Sequence, residues 1–205
     1  MRQGGRRGER GQSMVEMAIL LPVYLTLLLG MLEFGFAFDH LLSISYADRE
    51  GARVGAALTN GGGTLGCSAG QSPNAASVDP QIVAAVERVL SSPGSLVVLA
   101  NVTQIRIYLA TATGAETAGS VNIWSYSAGG GPVIDGDPLD FVQTSATWSA
   151  CSRTNTLPAQ SIGVSIAYSY AFTTPLGGVM RLIGGAGPTG LTVSDKAVMA
   201  MNPTQ

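Results

Sequence analysis

The chain has 205 residues, of which 12% are charged, and a formal net charge of −2. That length suits one ordinary domain plus an anchor, and the charge density is well below the roughly 25% of a typical soluble domain. The bases Arg2, Arg6, Arg7 and Arg10 cluster ahead of an apolar run, and the others are scattered. With no basic stripe to neutralise phosphates, nucleic acid is excluded as a partner.

Met1 to Arg10 has almost nothing to bury and reads as a disordered basic leader. From Met14 to Phe38 the sequence is MVEMAILLPVYLTLLLGMLEFGFAF, past the ~20 residues needed to cross ~30 Å of hydrocarbon. A cleaved secretory signal has a shorter apolar core and a small-x-small cleavage site. Here the apolar stretch continues into LLSISYADREGARVGAAL, so a retained single-pass anchor is expected. The arginines before the span, against Asp39, Asp48 and Glu50 after it, place the N-terminus in the cytoplasm and the rest outside. Pro22 removes a backbone donor and predicts a modest kink.

Nothing between Leu41 and Leu58 breaks a helix, and the first strong stop is Gly61-Gly62-Gly63. A helix from about Ser13 to Leu58 would be on the order of 70 Å long at 1.5 Å per residue. Ala47, Gly51 and Gly55 recur every four residues on one face, a spacing that lets another element approach closely.

Two acids stand out. Glu33 lies towards the far end of the span, where outer headgroups or a contact between helices would relieve the cost of a carboxylate in hydrocarbon, roughly 2.5–3.5 kcal/mol. Glu16 lies at the cytoplasmic start, preceded by Ser13-Met14-Val15 rather than by charge. The stretch Gly11-Gln12-Ser13-Met14-Val15-Glu16, then Ala18, Pro22 in a leucine-rich span and Glu33-Phe34-Gly35, resembles the N-terminus of TadE-like proteins. Ala47 to Arg53 resembles the same family's A-x-x-G-A-R segment. Ser161 to Tyr168, Thr174-Pro175-Leu176 and Ser194 to Met201 are also similar, whereas about Thr59 to Trp148 matches only in general character.

The resemblance implies a role in tight-adherence (type IVb) pilus systems, as a pseudopilin or accessory membrane component. It also implies partners: the membrane, other pilus or pseudopilin subunits, and a prepilin peptidase that cuts after a glycine and leaves a glutamate at the fifth mature position. On this sequence Gly11 would close the leader, Gln12 would become the new N-terminus, and Glu16 would fall at position five. A freed amine on one subunit could then pair with Glu16 of a neighbour and set the register of helices in an assembly. Met17 stands where such pilins often carry an aromatic residue. The globular part exceeds that of small major pilins, which points to a minor rather than a main subunit.

Beyond the glycine stop, Asp79-Pro80 predicts a helix start with Asp79 as N-cap. Ile82, Val83, Val86, Val89 and Leu90 share one face of that helix, and Pro93-Gly94 ends it. Strands are predicted at Val102–Leu109, Val121–Tyr126, Ser145–Trp148, Ile162–Phe172 and Leu191–Met201. Loops are predicted at Gly129–Pro132 and Leu176–Pro188. The predicted fold class is α+β: a long N-terminal transmembrane helix extending into a small antiparallel sheet domain, pilin-like. Its organisation would be a leader over 1–11, a transmembrane and projecting helix over 12–59, and an extracytoplasmic domain over 60–205.

Cys67 and Cys151 are the only cysteines, and outside the cytoplasm one disulfide between them is expected. Two cysteines and the single His40 cannot supply a tetrahedral zinc set, and no metal or other cofactor is expected. His40, beside Asp39, reads as an interfacial residue rather than a catalytic base, since no nucleophile is arranged around it. Asp135-Gly136-Asp137-Pro138-Leu139-Asp140 lacks the spacing and closing glutamate of a calcium loop and reads as a solvated turn. An enzyme is therefore not expected. The alternative to the pseudopilin is an unprocessed single-pass surface or periplasmic scaffold or binding protein, which needs no cleavage at Gly11.

Overall fold

The computed structural model describes residues 7–58, 75–155, 158–175, 177–178 and 190–201. In chain order they form α1 (Arg7–Ala57), α2 (Ala75–Leu90), β1 (Val102–Ala110), β2 (Glu116–Tyr126), β3 (Val133–Ile134), β4 (Asp137–Pro138), β5 (Phe141–Ala146), β6 (Ser161–Ala171) and β7 (Gly190–Ala200). Short 3₁₀ turns lie at Leu99–Asn101 and Ala150–Ser152. This is an α+β arrangement, a long apolar helix followed by a small antiparallel sheet domain. The chain divides into two compact units: Met1–Phe38 with Ala171–Leu191, and Asp39–Tyr170 with Thr192–Gln205.

In the first unit, α1 is long and apolar enough to cross a membrane, and none of its most apolar stretch is buried within the protein. Met17, Leu27, Met31 and Phe34 all stand exposed, unlike the core helix of a soluble domain. The helix starts at Arg7, earlier than the predicted Ser13, because Arg and Glu are good helix formers and Gly8 and Gly11 alone do not break it. Pro22 sits inside α1, and Thr26 Oγ1 donates to the Pro22 carbonyl at 2.8 Å.

In the second unit the five-stranded sheet runs β5-β2-β1-β6-β7. Its central strands are antiparallel neighbours, with Ile105 between Trp124 and Ile166, and Ile107 between Asn122 and Val164. These alternate side chains form one apolar face. Against it lie α2, through Ile82, Val83, Val86 and Leu90, and the C-terminal part of α1, through Ile44, Ala47 and Ala52; all are buried. Each α2 side chain so buried contributes about 1.5–3 kcal/mol. On the other face, Gly163 leaves room for the Tyr108 ring, which would otherwise collide with a Cβ there.

Turn chemistry sets the hairpins. Gly114 adopts φ +74 in the β1–β2 turn, with its N–H on Thr111 O. Asp135 and Gly136 take φ 54 and 97 between β3 and β4, the pair of left-handed residues that a type I′ turn requires.

Several sequence expectations shift. Asp79 is not the N-cap of α2, which begins at Ala75 and carries Pro80 in its second turn. The Asp79 carboxylate is taken instead by Arg153 and Asn122. β2 begins at Glu116 rather than Val121, and the third strand is Phe141–Ala146 rather than Ser145–Trp148. Of the Leu176–Pro188 loop only residues 177–178, a helical turn, lie among those described.

Candidate functional site

The residues that could join this chain to others lie along α1. At its start Gln12 and Glu16 are exposed one turn apart, and Gln12 Nε2 donates to Glu16 Oε1 at 3.3 Å. Gly11, just before them, is helical. Around Glu16 the exposed neighbours are apolar: Met14, Val15, Met17 and Leu20. A lone carboxylate on such a surface attracts a positively charged group wherever water is scarce.

Glu33 is a different case. It is buried, and its two carboxylate oxygens accept the backbone N–H groups of Thr173 (2.9 Å) and Thr174 (2.8 Å), just beyond β6. Two backbone amides hold this acid. Charge-assisted bonds of this kind offset the cost of burying a carboxylate. Sequence reasoning had no means of finding the pair, because its partners are main-chain atoms 140 residues away.

Further along, Ala47, Gly51 and Gly55 lie on the buried face of α1. A Cβ on Gly51 would lie 2.7 Å from Val86 Cγ2 and 3.3 Å from Val164 Cγ1. One on Gly55 would lie 2.7 Å from Ile162 Cδ1. These glycines bring the backbone of α1 onto α2 and β6 within the second unit.

Asp48 belongs to the same face and is not the solvated exterior charge that its neighbours Arg49 and Glu50 suggest. It is fully buried, and neither carboxylate oxygen has a hydrogen-bond partner among the described residues. Burial, reinforced by the carboxylate of Asp195 on β7, pushes its pKa up to about 7, against the opposing pull of the Arg49 backbone N–H and charge. The only signal in the sequence is its place three residues before Gly51.

His40 is also buried, with its ring 5.4 Å from that of Tyr168 and 5.0 Å from that of Tyr170. It packs in an aromatic cluster, because the inward face of β6 presents both tyrosines to it. Cys67 lies outside the described residues. Cys151 is half-buried in the Ala150–Ser152 turn, its N–H on Ser149 Oγ.

A polar network unforeseen from the sequence joins α2 to the sheet. Arg153 Nη1 pairs with Asp79 Oδ1 at 2.6 Å, and the Arg153 guanidinium lies 4.3 Å from the centre of the Trp148 ring. Asn122 Nδ2 donates to Asp79 Oδ2 and to Trp148 O, while Asn122 Oδ1 accepts from Trp148 N. Among the described residues no group of three His, Cys, Asp or Glu side chains is placed to hold a metal ion.

The stretch from Gly11 to Arg53 thus carries the exposed acid, the apolar span, the capped Glu33 and the close-packed glycines. Residues 11–53 match the model of the TadE-like protein family. Comparison with curated proteins and with solved structures returns no match. The TadE-like segment therefore covers the anchor helix and its continuation to Arg53, and α2 and the sheet lie beyond it. A TadE-like segment of this kind suggests involvement in tight-adherence pilus assembly, a structural rather than a catalytic task, with membrane association and contacts to pilus subunits.

Proposed function

We propose that this chain is a minor pseudopilin, or a membrane-anchored component, of the tight-adherence (type IVb) pilus assembly machinery. The observation that carries the reading is the TadE-like match across an exposed apolar helix that bears the solvent-facing Glu16 near the start of its apolar run. The N-terminal arginines face the cytoplasm and the sheet domain lies on the far side. A prepilin peptidase cuts after Gly11, and the amine freed on Gln12 of one subunit pairs with Glu16 of a neighbour. Lateral contacts between spans and between sheet domains do the remaining work, without catalysis. A disulfide between Cys67 and Cys151 would staple the exterior domain by a few kcal/mol.

The helical continuity of α1 from Arg7 through Gly11 favours a second reading, an uncleaved single-pass scaffold of the same machine. N-terminal sequencing or intact mass of the membrane-extracted protein separates the two. A mature chain beginning at Gln12 supports the pseudopilin, and an intact leader removes it. Glu16→Gln is expected to impair co-assembly while membrane insertion is retained. Assembly unchanged by that substitution would remove the charge pairing.

A further inference from the structure

The sheet domain carries a cleft of about 370 Å³ between α2 and the sheet, within the ~300–1,000 Å³ range of small-molecule sites. Its walls come from the first turns of α2 (Asp79, Pro80), from β2 (Asn122, Trp124), from β5 (Gln143, Ala146) and from the segment after β5. β5 forms the edge of the sheet, and its Gln143 and Ala146 stay exposed at the mouth of the cleft, whereas Asn122 and Trp124 are buried at its floor. The chain has two tryptophans, Trp124 and Trp148, and both line this one cleft.

The lining sets the charge of an occupant. Among the described residues no Lys or Arg side chain lines the cleft, so an anion finds no cation to bind. The one charged lining group, the Asp79 carboxylate, is paired with Arg153, whose guanidinium also engages the Trp148 ring. A cation therefore meets an acid already neutralised and a ring already engaged. What remains is neutral hydrogen-bonding chemistry: the Gln143 amide and the Thr147 and Ser149 hydroxyls, all on exposed residues. Trp124 adds a donor. The residue is 2% exposed, and its Nε1–H has no hydrogen-bond partner among the described residues. A buried indole N–H ordinarily finds one, so its place in the wall of a cleft calls for an acceptor oxygen supplied from outside.

We propose that this cleft binds a neutral sugar residue. Sugar hydroxyls donate and accept at once, which lets an amide, hydroxyls and an indole N–H engage the same ring. The C–H groups of that ring suit the apolar surface of Pro80 and Ala146. The cleft lies wholly within the second unit, and the proposal does not rest on the pilus reading.

The test uses the full chain in lauryldimethylamine oxide, a detergent without a sugar headgroup. Methyl glycosides of glucose, galactose, mannose and N-acetylglucosamine are titrated while tryptophan emission and the Trp124 indole N–H resonance are followed. The expected result is a saturable change with at least one glycoside, with a Kd on the order of 1 mM for a ligand of this size, and a shifted indole N–H signal. Gln143→Ala should weaken binding about 5- to 10-fold, the loss of one neutral hydrogen bond. Ala146→Phe should abolish binding by filling the cleft, and Val133→Ala on the β3–β4 hairpin should leave it unchanged. Gln143 and Ala146 are both exposed, so misfolding of one variant leaves the other to carry the comparison. No saturable change with any of the four glycosides up to about 100 mM would overturn the proposal, as would binding that survives both substitutions. A response to N-acetylglycinamide but to no glycoside would assign the cleft to a peptide and overturn the sugar.

Discussion

Gly51 lies so close to Val86 that a methyl group on its Cα would come within 2.7 Å of Val86 Cγ2. A valine γ-methyl cannot swing away, since its χ1 is held by branching at Cβ, and Val164 blocks the other side at 3.3 Å. Gly51→Ala gains about 1 kcal/mol of helix propensity but incurs overpacking of about 1–3 kcal/mol. The expected net effect is a loss of about 1 kcal/mol in detergent-solubilised protein, read from denaturant midpoints. Gly55→Ala meets only the δ-methyls of Ile162 and Ile82 at its nearest contacts, the far ends of flexible side chains, and should be close to neutral. The same loss at both positions would contradict this distinction.

Asp48 predicts a pH dependence of a definite sign. Its carboxyl holds a proton up to about pH 7 in the folded chain and releases it near 3.8 when unfolded. Between those values the folded state binds more protons, so stability falls as pH rises from about 4 to about 7 and levels off above. The ceiling on this effect is about 4 kcal/mol at 1.36 kcal/mol per pH unit. Asp48→Asn should flatten the profile, with midpoints unchanged near pH 4 and raised at pH 8. An equally steep fall in the variant would show that another group is responsible.

Glu33 makes its contribution where its two amide partners lie. Glu33→Ala should release the Thr173 and Thr174 N–H groups, seen as faster hydrogen exchange at those two amides, while membrane insertion is unchanged. Removing bonds to a charged acceptor costs about 1.5–3 kcal/mol apiece in ordinary cases. Retained protection would mean that the segment is held by other contacts.

The Asp79–Arg153 pair is almost wholly shielded from solvent. Removing one partner leaves a buried uncompensated charge, so Asp79→Ala is expected to destabilise the sheet domain by about 3–5 kcal/mol. The double variant Asp79→Ala with Arg153→Met should recover a good part of that loss. A double variant worse than Asp79→Ala alone would show that Arg153 stabilises chiefly through Trp148.

Periodicity made much of this architecture legible in advance. The long apolar run, the face of Ile82, Val86 and Leu90 and the alternation of Ile162 to Phe172 are local signals, and each became the element it implied. What could not be read in advance depends on partners distant in sequence. Asp79 looks like a helix cap until Arg153 is brought beside it, and Asp48 looks like a surface charge until the domain buries it. In both cases a polar side chain was interpreted from its immediate neighbours, and tertiary contacts overrode them.

The sheet order has a consequence for biogenesis. The C-terminal half of α1 is made early, yet it packs against β6, and Asp48 feels the charge of Asp195 on β7, the last described strand to leave the ribosome. Until β6 has been made, the face carrying Ala47, Gly51 and Gly55 has only α2 as its counterpart. Such long-range closure is slow, because loop entropy must be overcome before any contact compensates for it. The nascent sheet domain therefore stays incomplete until its last strand is made, and a stall before β7 would leave an open, adhesive sheet.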